Sequence, residues 1–291
     1  MKAVVISDIH SNVYALEAIR QAEPEYDAIY CAGDLVDYGP FPQQVIEWTQ
    51  QHNVVCVRGN HDDIVIDVFR NEPQLAMMTG DERKWAHHNA QLLGEAEIRY
   101  LESLPLFVAF ELDGYAYTMK HLYRDYLTID SLPKFDEQWA ACRPGDVNAA
   151  VGSATASAAG STTAEAGGSA TDGAPDSSAA EAAGSSVADA VDNNTKNRAD
   201  ANTSRGERRL VFGHTHRRCV HMLGDGALWL NPGSVSYRRP DDLSKEAHYA
   251  TITDGRIELK RVAYDRAPLL EATHRTLLRA DELRVAYVFF G

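Results

Sequence analysis

The feature that most constrains the fold is a series of short apolar runs that alternate with helix-patterned segments in the first 60 residues. The runs are rich in Val, Ile and Tyr and occupy residues 2–7, 28–32 and 54–58. Segments with helical periodicity, near residues 13–23 and 42–51, separate them. Parallel strands buried on both faces need such continuous apolar runs, and their connecting helices cover the sheet. The pattern therefore predicts the order βαβαβ, with a parallel sheet in an α/β fold.

Side chains of the metal-ligand type follow each of these runs. Asp8 and His10 come after the first run, Asp34 after the second and Asn60 after the third. In an open α/β sheet, ligands bind outside the carboxyl ends of the strands. We therefore expect these four side chains to meet at one edge of the sheet.

Three histidines later in the chain extend this set. His121 ends an apolar run, and His214 and His216 stand two residues apart, as Asp8 and His10 do. In extended backbone, residues at this spacing point to the same side. The resulting candidate ligands are Asp8, His10, Asp34, Asn60, His121, His214 and His216.

Mixed carboxylate, imidazole and amide ligands suit divalent first-row metals such as Mn, Fe or Zn better than calcium or a thiolate-bound structural zinc. Seven ligands are too many for one ion. Two ions about 3.5–4 Å apart, sharing one carboxylate, would use them all. The ligand set therefore predicts a catalytic two-metal centre.

The second half of the chain carries hairpin signals. Asp113-Gly114 lies between apolar segments 106–112 and 115–121, and Asp254-Gly255 and Gly224-Asp225-Gly226 stand in similar contexts. These turns predict antiparallel strands. Residues 63–103 have a helical pattern throughout, and we expect them to form a lid over the site.

Residues 147–207 differ from the rest of the chain, since they are almost entirely Ala, Ser, Gly, Thr, Asp and Asn. Such a segment buries too little apolar surface to offset the entropy of ordering. We predict a disordered insertion, either a tolerated surface loop or an interaction tether. About 230 residues remain, a size suited to a single domain over 1–291.

Charge and cysteine usage limit the partners and the compartment. The net charge of −14 argues against a large nucleic-acid surface and against an anionic membrane partner. The chain begins without a signal-peptide pattern and has no run of 18 apolar residues. Its four cysteines lack CxxC spacing, so we expect reduced thiols in a cytoplasmic protein.

The motif order DxH, GD, GNHD, a lone His and GHxH resembles that of the calcineurin-like metallophosphoesterase superfamily. The phrases SDIHSN, GDLVDYGP and LNPGS are similar to those of its small prokaryotic phosphodiesterase branch. The resemblance covers most of the chain outside the insertion. It implies a four-layer α/β/β/α sandwich of two mixed sheets flanked by helices.

The resemblance also implies ligand roles. Asp8, His10 and His216 would hold the first metal. Asn60, His121 and His214 would hold the second. Asp34 would bridge the two, which agrees with the ability of a carboxylate to place one oxygen on each ion.

Further site residues follow from the same motifs. His61 would protonate the leaving group, and Asp37 would pair with it, the alternative being a solvated loop acid. Arg58 and Asn12 are candidates for binding the substrate phosphate, with a surface strand end as the alternative for Arg58. Tyr38 stands where the protein-phosphatase phrase GDxxDRG has an arginine that clamps phosphate.

The function implied is hydrolysis of a small phosphate ester, expected to be a phosphodiester, by attack of a metal-bridging hydroxide. Manganese is the first expectation for the metal, with Fe, Ni, Zn or Mg as alternatives. The alternative substrates are phosphomonoesters, including protein phosphoserine, and dinucleoside polyphosphates. A non-catalytic binding scaffold of the same fold is the remaining alternative, but a scaffold would not need all seven ligands.

Overall fold

The computed structural model describes residues 1–71, 77, 79, 82–121, 129–142, 207–236, 242, 244–276 and 278–291. The prediction for 147–207 lies outside the described residues except for Glu207. The described residues before 143 and after 206 belong to one compact unit. A single domain for the whole chain stays a prediction.

The first half of the chain has the predicted βαβαβ order. Its elements are β1 (Lys2–Ile6), α1 (Val13–Ala22), β2 (Ala28–Cys31), α2 (Pro42–Gln51) and β3 (Val55–Cys56). Helices then follow as α3 (Asn60–Arg70), α4 (Trp85–Leu92) and α5 (Glu95–Ser103). The described part of 63–103 is thus mainly helical, but it is not helical throughout as predicted, because residues 83–84 and 93–94 separate its helices. Its role as a lid stays a prediction.

The second half supplies the antiparallel hairpins that the turns predicted, together with a strand that pairs in parallel with its neighbours. The strands are β4 (Phe107–Leu112), β5 (Tyr115–Lys120), β6 (Arg208–Phe212), β7 (Cys219–Gly224), β8 (Ala227–Asn231), β9 (Ala247–Thr253) and β10 (Arg256–Val262). Helix α6 (Leu132–Ala140) precedes β6, and α7 (Ala267–His274) and α8 (Ala280–Phe290) follow β10. The three predicted hairpin turns join β4–β5, β7–β8 and β9–β10, and β6 is the strand that pairs in parallel.

Two mixed five-stranded sheets form the centre of the fold. The first has the strand order β10-β9-β1-β2-β3 and the second β4-β5-β6-β8-β7. In the first sheet β1, β2 and β3 are parallel, and in the second β5, β6 and β8 are parallel. The carboxyl ends of these parallel strands carry the candidate ligands.

The apolar side chains of the strands show how the layers pack. Val4 and Ile6 of β1 pack with the helices α1 to α5, while Ala3 and Val5 face the second sheet. The far side of the second sheet packs against Phe135 of α6. Successive residues of a strand point to opposite faces, so each central strand contacts two layers. The predicted α/β/β/α sandwich is confirmed.

Two further expectations concern cysteines and membranes. All four cysteines are free thiols, and Cys31 and Cys56 lie opposite each other on the neighbouring strands β2 and β3. Within the described ranges, no helix combines the length and the apolar character that crossing a membrane requires.

Candidate metal centre

The first ligand cluster combines residues from the first and the last of the sequence motifs. Asp8 and His10 follow β1, and His216 follows β6 in the other sheet. One ligand atom from each of these three side chains lies within 4.8 Å of the other two. These are the three residues that the resemblance assigned to the first metal.

The second cluster contains Asp34, His121 and His214, with ligand atoms again within 4.8 Å of one another. Asn60 joins it, since its Oδ1 lies 3.0 Å from both His121 Nε2 and His214 Nδ1. Asp34 Oδ2 lies 3.0 Å from His121 Nε2 and 3.9 Å from His10 Nε2, between ligands of the two clusters. All seven candidate ligands therefore meet where the two sheets adjoin.

The backbone is strained where it presents these ligands. Five of the seven have a positive φ between 49° and 63°, namely Asp8, His10, Asp34, His214 and His216. This conformation is unfavourable for a residue with a Cβ and persists only where the surroundings impose it. Such strain clusters at functional sites. Asp8, His10, His214 and His216 are therefore not in the extended backbone that their two-residue spacing predicted, and their side chains converge from left-handed turns after the strands.

The donor set fits divalent cations. His121 Nδ1 lies 2.7 Å from the Ala32 carbonyl oxygen, a contact that leaves Nε2 as the ligand atom. Asp8 Oδ1 accepts from the backbone N–H of His214 at 3.0 Å, but its buried Oδ2 has no hydrogen-bond partner in the described part of the chain. A buried carboxylate oxygen without a donor is costly unless a cation neutralises it.

Electrostatics favour the same conclusion. Burial lowers the pKa of His10 to about 3 and that of His214 to about 4, so both imidazoles stay neutral and keep a lone pair for a metal. Burial also disfavours a charged His121, but the Asp34 and Asp8 carboxylates outweigh this and raise its pKa to about 9. The centre thus attracts positive charge, which a metal ion can supply in place of the proton.

His61 lies beside the ligands and is paired with Asp37. His61 Nδ1 lies 2.7 Å from Asp37 Oδ2, and the backbone N–H of His61 donates to Asp34 Oδ1 at 2.9 Å. Burial works against a charged His61, yet the Asp37 hydrogen bond and the Asp34 charge raise its pKa to about 9. Asp37 is only 5% exposed, which excludes the alternative of a solvated loop acid.

Arg58 and Asn12 have structural partners. The Arg58 guanidinium donates to the Glu102 carbonyl oxygen at 3.0 Å and lies 2.9 Å from Asp63 Oδ1. Asn12 caps α1 through Ala15 N–H at 3.2 Å, and its amide donates to the hydroxyl of Tyr264 at 2.9 Å. Binding a phosphate would require either side chain to leave these contacts, so both roles stay predictions that the geometry does not favour.

The aromatic ring of Tyr38 occupies the side of the site next to His61. Its centroid lies 4.8 Å from that of His61 and 5.2 Å from that of His10. Tyr38 thus places an aromatic ring, and no positive charge of its own, beside His61.

Sequence reasoning missed two buried polar residues that hold the site loops. Asp62 Oδ1 accepts from the backbone N–H groups of Leu35 and Val36 at 2.9 and 3.1 Å, and its Oδ2 accepts from Gly59 N–H at 2.8 Å. Asn89 on α4 contacts the loops after β1 and β2. The available signals were the acid at the third position of α3, typical of a capping box, and an asparagine inside a helix, where it is a poor helix former.

The chain is similar in sequence to known proteins. The sequence profile described as calcineurin-like phosphoesterase matches residues 1–218. The protein MJ0912 of Methanocaldococcus jannaschii, described as uncharacterized, is 29% identical over 151 residues, which are 50% of this chain and 55% of that protein. The matched stretch thus spans little more than half of that relative.

Two solved structures have a similar fold over nearly the whole chain. A metallophosphoesterase from Sphaerobacter thermophilus is 18% identical with a TM-score of 0.59, and 99% of each chain is covered. The hypothetical protein PH1004 from Pyrococcus horikoshii OT3 is 14% identical with a TM-score of 0.60, covering 100% of this chain and 98% of the other. At these identities, the likeness concerns the fold alone.

Proposed function

Because the chain belongs to the calcineurin-like phosphoesterase family, we propose that it hydrolyses phosphodiesters with two divalent metal ions. The observation that carries the proposal is the pair of adjoining ligand clusters, Asp8-His10-His216 and Asp34-His121-His214, beside the His61–Asp37 pair. A scaffold would need neither a complete ligand set nor a positioned proton donor. The family is one of metal-dependent phosphoester hydrolases, and the preference for diesters is the finer part of the proposal.

The ligand roles in the proposal follow the two clusters. Asp8, His10 and His216 would hold one ion, and Asn60, His121 and His214 the other. Asp34 would bridge, since its Oδ2 lies between ligands of both clusters. When bound, the two ions would activate a water molecule and offset negative charge on the phosphoryl oxygens.

The proposal gives His61 the role of general acid. Its Nδ1 is bonded to Asp37, so Nε2 is the nitrogen left to face the substrate. A raised pKa keeps the ring protonated at neutral pH, and Nε2 would pass its proton to the departing alcohol oxygen. Asp37 would hold the ring orientation and stabilise its charge.

The ring of Tyr38 supports a diester over a monoester. A monoester carries a second negative charge, which protein phosphatases meet with an arginine in the motif that Tyr38 interrupts. An aromatic ring 4.8 Å from His61 offers no such charge and can instead pack against the second ester group of a diester.

The proposal is tested on the full chain by elemental analysis followed by turnover of bis-p-nitrophenyl phosphate and p-nitrophenyl phosphate with Mn, Ni, Zn or Mg. We expect about two metal equivalents per chain and faster turnover of the diester. Asp34→Asn should lower turnover of bis-p-nitrophenyl phosphate by about 10²-fold or more. His61→Ala should lower turnover of methyl phenyl phosphate, whose leaving group needs a proton, by about 10²-fold or more, while Asp67→Asn, at an exposed acid on α3, should lower neither.

The outcomes separate the parts of the proposal. Turnover of the monoester alone would overturn the diester preference. Undiminished turnover in both Asp34→Asn and His61→Ala would overturn the site assignment. Absence of turnover with every metal and both esters would favour the binding scaffold.

A further inference from the structure

We propose that Asn89, on helix α4, is a positioning residue that holds Asp37 in place so that Asp37 can orient His61. The inference rests on the proposed function, because its effect on catalysis acts through the proton that His61 would donate. Asn89 itself touches neither the candidate metal ligands nor His61 among its hydrogen-bond partners.

The Asn89 side chain is fully buried and uses both ends of its amide. Oδ1 accepts from the Ser11 hydroxyl at 2.6 Å and from the backbone N–H of Asp37 at 3.0 Å. Nδ2 donates to the carbonyl oxygens of Gly39 at 2.9 Å and Trp85 at 3.2 Å. One side chain thus bonds the loop after β1, the loop after β2 and its own helix.

The loop at residues 37–39 needs contacts from its surroundings to keep its backbone conformation. Asp37 and Tyr38 have φ values of 74° and 59°, two successive residues with a Cβ in the left-handed region. Each such residue costs about 1 kcal/mol or more, and the cost must be met by contacts from the surroundings. Asn89 bonds to the backbone of Asp37 and of Gly39, on both sides of Tyr38.

Helix α4 is in turn anchored on its N-terminal side. Trp85 lies one turn before Asn89 on the same helix face, and its indole Nε1 donates to the Glu282 carbonyl oxygen on α8 at 3.1 Å. Trp85 is 1% exposed and packs with Phe290 of α8. Asn89 therefore lies on a helix whose N-terminal end is held by α8, and its hydrogen bond to the backbone N–H restrains the position of Asp37.

An amide at this position needs an explanation beyond packing. Ala86 and Ala90 of α4, and Leu93 just after it, are apolar core residues, and an apolar side chain at 89 would suit the same core. Asparagine is a poorer helix former than leucine or alanine, and a buried amide is tolerated only with its bonds satisfied. Its bonds go to the backbone beside Asp37, which indicates a role in placing that residue.

The test compares two methyl aryl diesters that differ by one nitro group and therefore in how much the leaving group needs a proton. Methyl 4-nitrophenyl phosphate releases a stable phenolate, whereas methyl phenyl phosphate needs general acid help. We expect Asn89→Leu to lower turnover of methyl phenyl phosphate by about tenfold or more, and that of methyl 4-nitrophenyl phosphate by less than about threefold. Metal content should stay equal to that of the wild type.

A double-mutant cycle and a control variant separate positioning from general destabilisation. In an Asp37→Asn background, Asn89→Leu should change methyl phenyl phosphate turnover by less than about twofold, because Asn89 would affect turnover only through the contact of Asp37 with His61. Thr49→Val removes a buried hydroxyl on α2 that bonds to Ile46 and Tyr100. This control should lower stability without changing the ratio of the two turnovers. If Asn89→Leu does not fold, Asn89→Ala, which introduces no new bulk, takes its place.

A spectroscopic readout independent of turnover completes the design. With zinc bound, the Nδ1–H proton of His61 in its short bond to Asp37 should give a far-downfield proton resonance, absent in Asp37→Asn. We expect the resonance to weaken or shift in Asn89→Leu and to persist in Thr49→Val.

Equal losses for the two esters, or an unchanged resonance in Asn89→Leu, would overturn the positioning role. If Asp37→Asn and His61→Ala themselves leave methyl phenyl phosphate turnover unchanged, the proposed function of His61 fails first. The two failures are thus distinguishable.

Discussion

Replacing Gly59 by alanine adds one methyl group at the point where α3 meets the candidate metal centre. Gly59 is the N-cap of α3, with φ −99° and ψ 171°, an extended conformation open to any residue. The substitution therefore introduces no backbone strain of its own. Its effect comes only from what the new Cβ meets.

The new Cβ would meet Asp34. It would lie 2.1 Å from Asp34 Oδ1 and 2.3 Å from Asp34 N, whereas non-bonded heavy atoms settle at about 3.5 Å. Asp34 or the start of α3 must therefore move by at least about 1 Å. A misplacement of about 1 Å can cost about 10²-fold in rate, and Asp34 is the proposed bridge between the two ions.

Gly94 supplies a matched control. It is the N-cap of α5, with φ −103° and ψ 177°, and its N–H donates to Glu97 as that of Gly59 donates to Asp62. Among the described residues, a Cβ at Gly94 would meet only the flexible carboxylate end of Glu97, at 3.0 Å. The two variants thus make the same chemical change at equivalent helix positions.

Both variants are assayed by elemental analysis, diester turnover and urea unfolding. We expect Gly59→Ala to bind fewer than two metal equivalents and to lose about 10²-fold in turnover, with a cost of about 1–3 kcal/mol in stability. Gly94→Ala should keep both metals and full turnover. If Gly59→Ala retains both metals and behaves like Gly94→Ala, the claim that metal binding and turnover depend on the observed position of Asp34 is refuted.

Two further predictions concern buried carboxylates. Asp62→Asn replaces an acceptor of backbone N–H groups by an amide with only one acceptor oxygen, so it should lower the free energy of unfolding in urea by about 1–3 kcal/mol. An equal effect in the exposed Asp67→Asn would contradict this. Burial opposes the charge of Glu23, but contacts with Lys2, Lys260 and Tyr249 outweigh it and lower its pKa. A lowered pKa contributes stability above the ordinary value of 4.5, which is lost as the pH falls through the folded value. The difference in unfolding free energy between wild type and Glu23→Gln should therefore shrink as the pH falls below 4.5. A difference that widened at low pH would be evidence against the reasoning.

The elements of the first half and the hairpin turns of the second half were predictable because their signals are local. A run such as 2–7 is apolar on both faces, which only a buried parallel strand requires, and the turn at Asp254-Gly255 selects a hairpin over two residues. The order of β1, α1, β2, α2 and β3 followed from these patterns. The same locality explains why Asp8, Asp34 and Asn60 were recognised at strand ends.

The supporting contacts were not predictable, because they join segments far apart in the chain. Asn89 reaches Ser11 across 78 positions and Asp37 across 52, and no periodicity carries that information. Arg58 illustrates the converse case. Its type suggested a phosphate clamp, but the packing of α5 against the strand end gave its guanidinium a partner in the Glu102 carbonyl.

Residue type and local periodicity were enough to predict a two-metal centre, since ligand-type side chains and strand runs are properties of short segments, and the expectation of phosphoester hydrolysis came from the resemblance of the motif order to a known family. Tertiary packing decided three further points. It placed Oδ2 of Asp34 between the two clusters, brought Asp37 against His61, and set the buried amide of Asn89 on the backbone of Asp37. Those distances arise only when two sheets and helix α4 meet, because a hydrogen bond between distant segments exists only in the folded chain.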